Sequence, residues 1–284
     1  MKAHHGSFYP LMLCTFLLLL CCFQRSAAQE AEDDREFDHI KLSKKGPENW
    51  GNLKNEWSLC KDGKSQSPID LSSKGLLMTS ELGRLRTRYR ACNATLKNRG
   101  HDIAVEWDGD AGWFRTNRTR YKLKQTHWHS PSEHTVNGKR YAMELHMVHK
   151  TDDPKARHKA AVVSSLYEIG RPDPFLSKLM KNVTTLTSDD DEGDEDALRD
   201  HMVVNPNDIN VNGMRYFRYI GSLTIPPCTE GVLWTINNRV KTVSKAQLTF
   251  LKEVVHDYAK NNARPVQPLN GRRIYFNTPR ARSS

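Results

Sequence analysis

Between Tyr121 and His149 polar and apolar positions alternate with the period of two that marks strands. Tyr121, Leu123, Gln125, His127 and His129 fall to one side of the first strand, and Lys122, Lys124, Thr126 and Trp128 to the other. Pro131 and the Asn137-Gly138 turn signal then interrupt the pattern, so the chain is expected to double back. The returning strand sets Ala142, Glu144, His146 and Val148 against an apolar face of Tyr141, Met143, Leu145 and Met147. Asn98 to Trp107 reads as a turn and a strand, and Ala160 to Gly170 as a buried strand. Asp173-Pro174 opens a predicted helix with Phe175, Leu176, Leu179, Met180 and Val183 along one side. Ser244 and Gln247 form a capping-box pair ahead of Leu248, Leu251, Val254 and Val255. No internal repeat and no interdomain linker breaks this order.

The amino end changes the picture. Lys2, His4 and His5 precede an apolar run from Leu11 to Phe23, and Ser26-Ala27-Ala28 supplies small residues for cleavage. Residues 1–28 therefore read as a secretory signal, and no later stretch is long and apolar enough to be a membrane span. What remains, 29–284, suffices for one large domain with a substantial core. Past the signal only Cys60, Cys92 and Cys228 are left, which in an oxidising compartment implies one pair and one leftover thiol. Composition does not choose among the three possible pairs. Asn93, Asn117 and Asn182 each begin an Asn-x-Ser/Thr glycosylation acceptor.

Charge adds less. The formal net charge is +10, and the mature part keeps an excess of Lys and Arg. Arg84, Arg86, Arg88 and Arg90 line one face of a predicted strand, a pattern open to anionic surfaces or polysaccharide but more often a solvated strand face. No nucleic-acid motif accompanies it. The acidic run Ser188 to Asp196 does not fit an EF-hand loop and reads as solvated.

The chemistry concentrates in the alternating segment. Two imidazoles at i and i+2, His127 and His129, and a third, His146, from a neighbouring strand can converge on one point, leaving the open fourth position that a catalytic zinc ion requires. Gln125 and Glu144 stand two positions before His127 and His146, where they can hold the second ring nitrogens. Unpartnered buried polar groups are costly, so three histidines with polar neighbours point to a metal rather than to core packing. His127-x-His129-x3-Glu133 also resembles the first metal motif of cupins. That motif needs a later histidine after a Pro-x-Gly turn, which Met143 to His149 lacks.

These elements resemble the α-carbonic anhydrase family: the Q-x-H-x-H, S-E-H and E-L-H-x-V-H runs, G-P-x-x-W and Q-S-P-I-D near the amino end, and S-L-T-x-P-P-C at Ser222 to Cys228. The resemblance runs from about Phe37 to Tyr275, and its wording is most like plant members. It implies a mainly β (α+β) fold: one domain around a large, mostly antiparallel twisted sheet with surface helices. It implies reversible hydration of carbon dioxide to bicarbonate and a proton by hydroxide on a zinc held by His127, His129 and His146. Thr224 and Glu133 would orient the attacking group, and His101, in an N-x-G-H frame, would carry the proton to bulk water. Val148, Val162, Leu223, Ile225 and Trp234, with Thr224, would face the substrate. Cys60 and Cys228 would form the disulfide. Four positions depart from common family members: Arg99 and Ala104, which replace polar residues some members use, Ile225, and His39, which stands where a tyrosine often sits. The fold also hosts non-catalytic storage or binding proteins, which commonly lose a zinc ligand; here all three are present. The destination implied is extracellular by the secretory route, with onward transit to plastids as some plant relatives take; oligomeric state stays open.

Overall fold

The pleat that the alternation predicts is realised in one large sheet. The structure, a computed structural model, describes residues 36–186, 200–255 and 259–278. The predicted signal and the acidic run lie outside them. Thirteen of the described strands join into the sheet. Its main path runs Leu77–Thr79, Tyr275–Asn277, Tyr216–Ser222, Glu230–Asn237, Ala160–Ile169, Met143–Lys150, Thr119–His129, Ile103–Trp107, Cys92–Asn98 and Asp200–Val204. Neighbours are mostly antiparallel, but the sheet is mixed. Leu77–Thr79 runs parallel to Tyr275–Asn277, and Ala160–Ile169 runs parallel to both Glu230–Asn237 and Lys241–Val243.

Two details of the alternation differ from expectation. Leu123 pairs with His149 and Gln125 with Val148, so Lys124 is an extra residue, a β-bulge. The bulge moves Tyr121 and Leu123 to the face of Thr126 and Trp128, where they join the larger apolar core with Met143, Leu145 and Met147. Only Gln125, His127 and His129 share the opposite face with His146 and Val148. On the return strand the pairing begins at Met143, after a bend at Ala142. Tyr141 therefore packs against the other apolar cluster, that of Val148, Val162 and Trp234.

The local signals otherwise act as read. Asn137 and Gly138 both take positive φ, 49° and 77°, and turn the Thr135–Val136 and Lys139–Arg140 hairpin. The Leu176 amide donates to Asp173 Oδ1 at the start of the Pro174–Leu186 helix, and Ser244 and Gln247 complete a capping box on Lys245–Glu253. Phe175, Leu176 and Leu179 bury against the larger core. A third, smaller cluster gathers Phe37, Trp50, Trp57 and Ile225 around a disulfide between Cys60 and Cys228.

Candidate metal centre

His127, His129 and His146 meet on the face opposite the larger core. His127 and His146 are directly opposed across the antiparallel pair, and the bulge at Lys124 brings Gln125 onto their side. The three rings lie 4.7 to 5.1 Å apart between centroids, and one nitrogen from each falls within 4.8 Å of the others. All three are buried.

Each ring has one nitrogen anchored, which fixes the other. His127 Nδ1–H donates to Gln125 Oε1 at 2.9 Å, His129 Nδ1–H to the Asn262 carbonyl at 2.8 Å, and His146 Nε2–H to Glu144 Oε1 at 3.0 Å. The nitrogens left facing inward are His127 Nε2, His129 Nε2 and His146 Nδ1, two of them 3.3 Å apart. Lone pairs do not bond to one another. His129 Nε2 has no hydrogen-bond partner, and Glu133 Oε2, likewise unpartnered, lies 3.5 Å from it and 3.9 Å from His146 Nδ1.

The electrostatics of the cluster suit a cation. Burial holds His127 well below the ordinary imidazole pKa, keeping it neutral as a ligand must be. Burial alone would lower His129 too, but Glu133 and Asp102 outweigh it and raise its pKa, so the surroundings favour positive charge at that point. An inward set of three imidazole nitrogens with an orphaned acceptor fits a bound divalent metal, and imidazole donors suit zinc.

A second group, His134, Glu144 and His146, is close enough to hold a metal but is satisfied without one. Glu144 Oε1 accepts from His134 Nδ1, His146 Nε2 and Ser164 Oγ, and Oε2 accepts from the amides of Glu133 and His134. Burial would raise the Glu144 carboxyl; His134 and His146 overcome that and hold it well below the usual carboxylate range. It is an anchor, not a ligand.

The sequence pattern of eukaryotic-type carbonic anhydrases matches residues 45–278. The chain belongs to that family. It is 49% identical over 262 residues to carbonic anhydrase Nec1 of Nesocodon mauritianus, covering 92% of each chain. It is 43% identical over 272 residues to alpha carbonic anhydrase 7 of Arabidopsis thaliana, covering 96% of each. Among solved structures, a dioscorin complexed with ascorbate superposes with a TM-score of 0.79 at 43% identity, over 87% of this chain and all of that one.

The remaining family positions distribute as follows. Val148, Val162, Leu223 and Trp234 all lie in one buried apolar cluster, Val148 opposite Val162 and Val162 opposite Trp234, whose ring is 4.8 Å from that of His146. Ile225 packs instead beside the disulfide. Glu133 Oε1 accepts from the Arg264 amide at 3.0 Å. The link from Thr224 to Glu133 that the family resemblance implies is not formed, since Glu133 Oε2 has no partner.

His101 is a clear departure from expectation. A shuttle to bulk water should open on solvent, yet this ring is 0% exposed, packed 5.2 Å from the Phe37 ring and 3.8 Å from Asp102 Oδ2. Arg99 pairs with the same Asp102, so this departure from common members forms a buried ion pair beside His101. His39 is buried against Phe37 and Trp50, and burial followed by the nearby His101 and His129 holds its pKa well down. Of the glycosylation candidates, Asn93 and Asn117 are exposed and Asn182 lies within the Pro174–Leu186 helix. Cys92 is a free, half-buried thiol, pushed up in pKa chiefly by that burial.

Sequence reasoning missed a supporting chain: Ser67 Oγ, Tyr219 OH and His134 Nε2 are linked at 2.7 Å each, and His134 then donates to Glu144. His134 was legible as the last residue of S-E-H. Missed too was Arg264, buried and donating to Gln66 Oε1 and the carbonyls of Ser67 and Cys60.

Proposed function

We propose that the chain holds zinc through His127, His129 and His146 and catalyses the reversible hydration of carbon dioxide. The observation that carries this reading is the orphaned inward nitrogen of His129 in a ring of anchored imidazoles. Bound zinc supplies Lewis-acid activation of water at neutral pH, an effect for which carbonic anhydrases are the reference case.

The chain's own residues do the rest. Gln125, the Asn262 carbonyl and Glu144 fix ring orientation and tautomer, so that three lone pairs converge before any metal arrives. Val148, Val162, Leu223 and Trp234 supply a dry wall suited to an uncharged, linear substrate. Thr224, buried beside the apolar wall residue Leu223, has the hydroxyl that orients the attacking oxygen, and Glu133 Oε2 is the free acceptor to which that hydroxyl would donate its hydrogen bond. His101 is the imidazole that receives the exported proton. Because it is sealed beside Phe37, export limits turnover, and small diffusible buffers are expected to raise the rate. The disulfide and the predicted signal support the secretory route and an extracellular site. No described helix is long and apolar enough to cross a membrane.

A second reading, a non-catalytic binding protein, is favoured by the buried His101, the absent Thr224–Glu133 contact and the likeness to a dioscorin solved with ascorbate. Stopped-flow carbon dioxide hydration on the purified mature chain separates the two. The enzyme reading expects activity lost on chelation and restored by one zinc per chain. Zinc-loaded, folded but inactive protein would leave the binding reading standing.

A further inference from the structure

The sheet has a second unusual region, far in chemistry from the histidines. The short strand Arg86–Tyr89 pairs with Gly112–Thr116, which pairs in turn with Thr119–His129. Directly opposite residues point to the same side. Arg86 faces Arg115 and Arg115 faces Arg120, a row of three guanidinium groups crossing three strands. At adjacent-strand spacings of about 4.8 Å the row spans about 10 Å. The next row is Arg88, Trp113 and Lys122, with Arg120 over the Trp113 ring at 5.1 Å. Phe114 and Tyr121, the alternate positions, are buried in the core, so the arginine rows face out.

Like charges placed directly opposite destabilise a sheet unless something neutralises them. The protein does not do so here. Arg90 pairs with Asp110, and Lys122 approaches Asp152 at 3.9 Å, but Arg84, Arg86, Arg88, Arg115, Arg118 and Arg120 form no ion pair with any described carboxylate.

At the end of these strands, around the Thr116–Arg118 turn, lies a cleft of about 270 Å³ bordered by Arg84, Arg86, Arg115 and Arg118, with Glu81 as its one acid. Its floor includes Arg218, 5% exposed, between the Phe114 and Tyr216 rings. Arg218 donates only to hydroxyls, Nη1 to Thr116 Oγ1 and Nε and Nη2 to Thr235 Oγ1. A buried cation without a counter-charge is costly, and burial accordingly lowers the Arg218 pKa. Cleft and rows together lack one thing, a string of anions.

We propose that this face binds an anionic polysaccharide, a sugar chain bearing carboxylate or sulfate groups, with one anionic group in the Arg218 cleft and others along the Arg86–Arg115–Arg120 row. The disulfide places the chain in an oxidising compartment, where such sugars rather than nucleic acids are the available polyanions. The one aromatic residue on the rows, Trp113, is already covered by Arg120, so the face offers no open ring for base stacking.

The test is calorimetric titration of the full mature chain with polygalacturonate and, separately, dextran sulfate at about 100 mM salt, where exposed charges are only partly screened. R86S/R115S/R118S should weaken binding at least about tenfold, as expected for three lost contacts to a polyanion. K44S/K74S/K155S removes the same charge elsewhere and should stay within about twofold. Unchanged zinc content and melting temperature certify both variants as folded. Tighter binding of polygalacturonate would make carboxylate the natural group, and tighter binding of dextran sulfate would make it sulfate. Equal loss in the two variants would reduce the effect to net charge and overturn the site. So would the absence of binding to either polymer, or binding only to anionic phospholipid vesicles.

Discussion

His146 and His149 stand three residues apart on one strand, both buried, on opposite faces of the sheet. His146 donates to a carboxylate and turns its other nitrogen toward two more imidazoles. His149 is set among Tyr89, Phe114 and the larger apolar core, with Nε2 bonded to the Tyr89 hydroxyl at 2.9 Å. Among the described residues no carboxylate or second histidine shifts it, and burial lowers its pKa to about 4. One residue type thus joins a cluster able to hold a metal on one face and stands as a neutral core residue on the other. Burial is common to both. The difference lies in what anchors the ring and what its free nitrogen meets.

The largest expected effect is on the metal face. His146→Gln should abolish zinc binding and carbon dioxide hydration together, measured by metal analysis and stopped flow. His149→Phe should leave zinc at one per chain; loss of zinc in that variant would break the comparison. Next comes Glu144→Gln, which keeps the shape but weakens the hold on His146 and His134. Zinc affinity should fall about 10- to 100-fold in a competition titration with a chelator.

The smallest effect concerns pH. His149 binds its proton less readily folded than unfolded, with its pKa lowered from 6.5 to about 4. The unfolded chain therefore takes up more protons between those values, and stability falls as pH drops through that window. The loss attributable to this residue is at most about 3 kcal/mol. His149→Phe should be less stable at pH 7 by about 1–3 kcal/mol, because the Tyr89 hydroxyl loses its partner. Its chemical denaturation midpoint should then depend less on pH between about 6.5 and 4 than that of the parent chain.

The ligand triad and two of its three anchors were legible because they obey strand alternation: Gln125 and Glu144 sit two positions from the rings they hold. The third anchor was not. His129 is held by a backbone carbonyl 133 residues away, and every residue carries that acceptor, so no pattern marks it. The bulge at Lys124 was equally silent, since an extra residue leaves local hydrophobicity unchanged while flipping everything before it. The burial of His101 depends on packing against Phe37, 64 positions earlier in the chain, which its own N-x-G-H frame does not encode. The parallel pairings of Ala160–Ile169 arise from distant strands arriving beside it, again beyond the reach of a local pattern. The arginine stripe was visible as a period of two. That Arg86 faces Arg115 and Arg115 faces Arg120 across the neighbouring strands emerged only with the register.

Zinc on this chain would be held by the three imidazoles of one sheet face. The zinc K-edge X-ray absorption spectrum of the purified wild-type chain tests it most directly. Three imidazole nitrogens at about 2.0–2.1 Å, completed by one further light atom, are expected. A sulfur neighbour at about 2.3 Å, or fewer than three imidazoles, would contradict it.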